Sequence, residues 1–103
     1  MFGGWGEVSK FPKYRQLWVF KRPDGRYGAF NNFDGEAHGW IFPDADALAK
    51  IITEATKDEI PGIYPLGIFT VWILSKRQME RFHRLARPFE IKPEDIEKME
   101  VDE

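Results

Sequence analysis

In RQLWVFK, residues 15–21, apolar side chains alternate with a period of two, so Leu17 and Val19 face one way and Trp18 and Phe20 the other. β-branched and aromatic residues dominate and helix signals are absent, which predicts a strand. RPDGR follows. Proline presets φ and glycine tolerates a positive one, the order that a type I turn with a left-handed glycine needs. RYGAF, residues 26–30, is then the returning strand of a hairpin. Residues 31–42, NNFDGEAHGWIF, hold turn formers at Asn31, Asn32, Asp34, Gly35 and Gly39 between large rings, and read as an ordered loop.

The period then changes. Ala45, Leu48, Ala49, Ile52 and Ala55 recur at helical spacing, behind Pro43 and with Asp44 and Asp46 where the helix dipole favours anions, so a helix is expected to end near Lys57. DEIPGIYP cannot continue it. LGIFTVWIL, residues 66–74, is a near-continuous apolar run that predicts a long central strand, with Phe69, Val71 and Ile73 opposed to Ile68, Thr70, Trp72 and Leu74.

Ser75 can cap a helix through SKRQMERFHRLARP, which stops by Arg87 because the residue before Pro88 is pushed out of the helical region. On its wheel Met79, Phe82, Leu85 and Ala86 cluster on one side, while Lys76, Arg77, Arg81, Arg84 and Arg87 spread over the rest with Glu80 as the one acid among them. The remainder, FEIKPEDIEKMEVDE, predicts a short helix over Pro93–Met99, and MFGGWGEVSK reads as a flexible lead-in around Trp5.

These elements give a small single α+β domain over residues 1–88 in the order ββαβα, followed by an acidic C-terminal tail, residues 89–103. A β-hairpin and a third strand form an antiparallel sheet, with two helices packed on one face.

Composition sharpens this picture in three ways. A chain of 103 residues has room for one core, yet 16% of it is aromatic, more ring surface than so small a core hides. Cysteine is absent, which excludes disulfides, thiolate zinc sites and cysteine nucleophiles. The apolar run 66–74 is too short to span a bilayer and the N-terminus lacks a signal-peptide layout, so a soluble, intracellular, cytoplasmic protein is expected. Charged residues reach 31% against four Asn and Gln in total, a balance that leans toward a thermophile and an archaeal, viral or mobile-element accessory protein.

The net charge of −2 conceals a division: residues 61–88 carry five cations and one anion, residues 89–103 two and seven.

No cofactor fingerprint, nucleophile motif or phosphate loop is present, so neither a cofactor nor enzymatic activity is expected. Asp34, Glu36 and His38 stand at alternate positions in the 31–42 segment, where carboxylates and an imidazole could hold a metal or move a proton. Solvated turn chemistry is the plainer account, and no metal is expected. His83 borders the apolar stripe of the last helix and reads as structural.

The expected function is that of a non-enzymatic interaction module. If both helices cover one face of the sheet, the other exposes Trp18, Phe20 and Trp72, and with Phe33 and Trp40 of the adjoining segment these would dock a protein partner or a second copy of the chain. The plainer alternative has Phe2, Trp5, Phe11 and the 31–42 loop covering that face. The second functional reading is nucleic-acid binding by Lys76, Arg77, Arg81, Arg84 and Arg87, which the acidic tail could cover.

Overall fold

The computed structural model describes residues 4–96. Six strands form one antiparallel sheet in the order β4-β5-β1-β2-β3-β6, where β1 is Gln16–Lys21, β2 Tyr27–Phe33, β3 Glu36–Phe42, β4 Gly62–Leu66, β5 Phe69–Ile73 and β6 Glu90–Ile91. The helices are α1 (Gly4–Val8), α2 (Ala45–Ala55), α3 (Lys76–Leu85) and α4 (Pro93–Ile96). The fold is a small α+β domain, and four expectations about its parts need correction.

The first hairpin forms as expected. Arg22 N donates to Arg26 O at 2.7 Å, Gly25 N to Arg22 O at 3.0 Å, and Gly25 takes the positive φ of 90° that the turn demands. The 31–42 segment, expected as a loop, is instead a second hairpin. β2 runs on through Phe33, Asp34 and Gly35 make a two-residue turn with φ of 52° and 77°, and β3 returns. Both turn residues have positive φ, as the tight turns that match strand twist require.

The run 66–74, expected as one central strand, is broken at Gly67 (φ 61°) into the end of β4 and β5, so GIYPL inside the supposed linker pairs as an edge strand. The lead-in holds α1. At the other end Glu90–Ile91 pair with β3, so the tail begins as a strand; the expected helix starts at Pro93 and is described to Ile96, and residues 97–103 lie outside the described part.

Both longer helices pack on one face, as expected. There Leu17, Val19, Ala29, Trp40 and Phe42 meet Leu48, Ile52 and Ala55 of α2 and Met79 and Phe82 of α3 in one core. α2 is capped by Asp44, whose Oδ1 accepts from Ala47 N at 2.9 Å. α3 has a reciprocal cap: Gln78 N donates to Ser75 Oγ at 3.1 Å and Ser75 N to Gln78 Oε1 at 2.9 Å. The Gln78 amide also donates to Asp58 Oδ1 and Glu59 O at 3.1 and 2.8 Å, which fastens the start of α3 to the chain leaving α2.

The outer face has its own, smaller core, in which Val8 packs on Val71 and Ile73 with Phe11, Trp18, Tyr64 and Leu66 around them. Gln16 holds that cover down: its amide donates to Val8 O (3.1 Å) and Phe11 O (2.8 Å) and its Oε1 accepts from Trp18 Nε1 (3.1 Å). Residues 4–11 therefore fold across part of the outer face, and Phe2 lies outside the described residues.

Candidate functional site

Pairing places Trp18 opposite Phe30 and Val71, and Phe20 opposite Gly28 and Phe69, so these side chains share the outer face. Trp18 and Phe30 stack with centroids 5.9 Å apart and planes 11° apart; Phe69 stands edge-on to Trp18 at 5.4 Å and to Phe30 at 5.9 Å. Trp5 leans on Trp18 at 5.8 Å yet remains 57% exposed.

Between them lies a cleft of about 360 Å³ lined by Trp5, Trp18, Phe30, Phe69 and Ala37 and by Lys13, Gln16, Asn31 and Asn32. A second cleft of about 650 Å³ adjoins it, sharing Lys13 and Asn32 and continuing past Tyr14, Phe33, Asp34 and Gly35 to Lys76 and Glu80.

The sheet pleat separates the five aromatics expected to form one surface. Trp18 is partly buried and lines the cleft. Phe20 is on the outer face but only 3% exposed, because its ring lies across Gly28, where an added Cβ would come within 2.5 Å of it. Trp40 is wholly buried in the inner core, edge-on to Phe82 at 5.0 Å, and offers nothing to a partner. Trp72 faces the helices, in register with Leu17, and packs beside α2. Phe33 also points inward, against His83 at 4.8 Å, and reaches the second cleft. Reading the sequence alone did not single out Lys13, Asn32 or Phe30; the pairing Trp18↔Phe30 that brings them together depends on hairpin register, which the period-two pattern could have supplied.

The histidines meet on the inner face. His83 Nε2 lies 2.7 Å from Asn31 Oδ1, and the Asn31 amide donates to Lys13 O, Tyr14 O and Gln16 O at 3.4, 3.3 and 3.1 Å. Because the amide nitrogen serves the carbonyls, the oxygen faces His83, and His83 Nε2 carries the proton. Burial, aided by the neighbouring His38, holds the His83 pKa down at about 4. His38 Nδ1 contacts Glu90 Oε2 at 3.1 Å, while its Nε2 is buried without a hydrogen-bond partner.

His83 is half-buried with its Nε2 held by Asn31, so this cluster, as placed, joins sheet to helix. Asp34, Glu36 and His38 do not converge: Asp34 sits in the turn, Glu36 is exposed, and His38 pairs with Glu90. No group of three or more metal-ligating side chains occurs among the described residues, and no helix among them is long and apolar enough to cross a membrane.

Of the five cations expected on this helix, Arg87 falls beyond the end of α3, and Arg81 is committed: Nη1 donates to Ala55 O at 2.8 Å and Asp58 Oδ1 at 3.3 Å, capping the C-terminus of α2. Lys76, Arg77, Arg84 and Arg87 are exposed and have no ion-pair partner among the described residues. α3 packs on the inner face and the aromatic cleft lies on the outer one, but Lys76 also lines the second cleft that adjoins it. No protein-family model, curated protein or solved structure matches the chain.

Proposed function

We propose that this chain is a non-enzymatic interaction module that docks a partner protein through the aromatic cleft on the outer face of its sheet. One observation supports the reading above all: Trp5 stays 57% exposed beside Trp18, so the mouth of the cleft presents indole surface to solvent. Tryptophan is enriched among the residues that carry binding energy at protein interfaces, where a side chain entering a pocket removes apolar area from water at about 25 cal/mol per Å². The surface is narrower than the whole sheet face, because Phe20 is covered and Trp40 and Trp72 belong to the helix side.

The test is affinity capture from the native host with the full chain and with Trp5→Ala. Since Trp5 is largely exposed, the variant is expected to keep its circular dichroism spectrum and lose the partner; equal capture by both chains sinks the reading. Sedimentation equilibrium of the purified chain shows whether the partner is a second copy.

Nucleic-acid binding is the second reading, favoured by Lys76, Arg77, Arg84 and Arg87, four exposed cations without an ion-pair partner among the described residues. On that reading α3 contacts phosphates and affinity falls steeply with salt.

A further inference from the structure

We propose that the cleft selects a partner segment in which an aromatic side chain stands beside a carboxylate. This rests on the docking reading and names the chemistry of the partner.

The walls define the apolar half. A flat ring entering about 360 Å³ between Trp5, Trp18, Phe30 and Phe69 meets both ring faces and ring edges, the two arrangements aromatic pairs favour.

The polar half follows by elimination. Four polar side chains line the cleft: Lys13, Gln16, Asn31 and Asn32. Gln16 spends its amide on Val8 O, Phe11 O and the Trp18 indole, and Asn31 spends its own on three backbone carbonyls and His83. The side chains of Lys13 and Asn32 make no hydrogen bond or ion pair among the described residues, and no carboxylate lines the cleft.

A ligand therefore meets aromatic walls, one uncommitted ammonium and one uncommitted amide. Lys13 attracts an anion and opposes the quaternary ammonium groups that aromatic cages otherwise take. A carboxylate can accept from Lys13 Nζ and from the Asn32 amide together. Past these two residues the adjoining cleft mixes Asp34 and Glu80 with Lys76, so the selection for negative charge is confined to the place where the clefts meet. A single lysine suits a carboxylate monoanion better than a phosphate, for which a bidentate arginine or a cluster of cations is the usual holder.

The experiment follows the indole N–H signals of Trp5 and Trp18 by NMR in the full chain during titration with N-acetylphenylalanine, its carboxamide, phenethylammonium and adenosine monophosphate. N-acetylphenylalanine is expected to bind about two- to fivefold tighter than its carboxamide, the range one exposed ion pair supplies, and phenethylammonium more weakly than either. Lys13→Met should abolish the difference between carboxylate and carboxamide.

Equal affinity for carboxylate and carboxamide in the unmodified chain overturns the charge selection but leaves the docking reading standing. Tighter binding of adenosine monophosphate than of N-acetylphenylalanine overturns it in favour of a nucleotide site. If none of the four probes moves the indole signals, the cleft itself is discarded.

Discussion

Asn31 is 2% exposed and spends both sides of its amide, donating to the backbone that enters β1 and accepting from His83 on α3. A buried polar group left without partners costs about 1–3 kcal/mol, so this one residue ties helix, sheet and the turn before β1 to a single geometry. Its effect on pH dependence runs through His83.

The unfolded chain takes up a proton at an ordinary histidine near 6.5, whereas the folded chain resists until about 4. Stability is therefore unaffected by this group above pH 6.5, falls as the pH drops from 6.5 to 4, and the loss totals about 3 kcal/mol or less. Asp34 and Glu90 oppose the effect and His38 reinforces it. Urea unfolding at pH 7 and pH 4.5 should show the loss in the unmodified chain and a smaller one in His83→Gln, which cannot titrate; parallel losses would refute this account. None of it was legible in the sequence, where Asn31 counts as a turn former and only its partners, 15 to 52 residues away, make it a strand residue.

At the scale of elements, what the sequence made readable were the units whose chemistry is local: RPDGR as a turn, the Ser75 cap, and the two helical stripes, while Asp44, read only as a charge favoured by the helix dipole, proves to be the cap of α2. β3 and β4 were unreadable because Gly39 in the one and Gly62 and Pro65 in the other oppose strand formation, and pairing with neighbours decides instead. β4 is also an edge, and residues 60–74 contain no charged side chain, while Ile60, Ile63 and Ile68 are 91%, 48% and 61% exposed.

Such an edge invites pairing with another chain unless something blocks it. The turn Gly67-Ile68 closes on Leu66 and Phe69, a pair that exchanges ladder bonds in a two-residue hairpin, so the backbones of Leu66 and Tyr64 point toward β5 and those of Ile63 and Pro65 point outward. Proline has no N–H to offer there, and Pro61 repeats the device just before the strand. Pro65→Thr restores an outward donor on a good strand former. It should make the chain associate as concentration rises, visible as a growing mass in light scattering; a variant that stays as the unmodified chain does shows that proline is not the guard.

Across the whole molecule, Arg77, Arg84 and Arg87 line neither cleft, so the two functional readings make separable claims. The first acid of the tail, Glu90, pairs with His38 on β3, and Arg81 is held by the end of α2, which leaves Lys76, Arg77 and Arg84 of α3 and Arg87 just after it as cations without an ion-pair partner among the described residues. If each neutralises one phosphate of duplex DNA, log K should fall with log salt at a slope of about −3.6. Arg77→Ala and Arg84→Ala should each flatten that slope by about 1 and leave the Trp5 and Trp18 indole signals unmoved. Arg81→Ala should behave differently, lowering the unfolding midpoint by uncapping α2 while keeping the salt slope of the unmodified chain. Gel retardation at low salt decides the matter: no shifted band, or a slope that ignores Arg77 and Arg84, removes the nucleic-acid reading and leaves the basic face of α3 as the solvated outside of a packing helix.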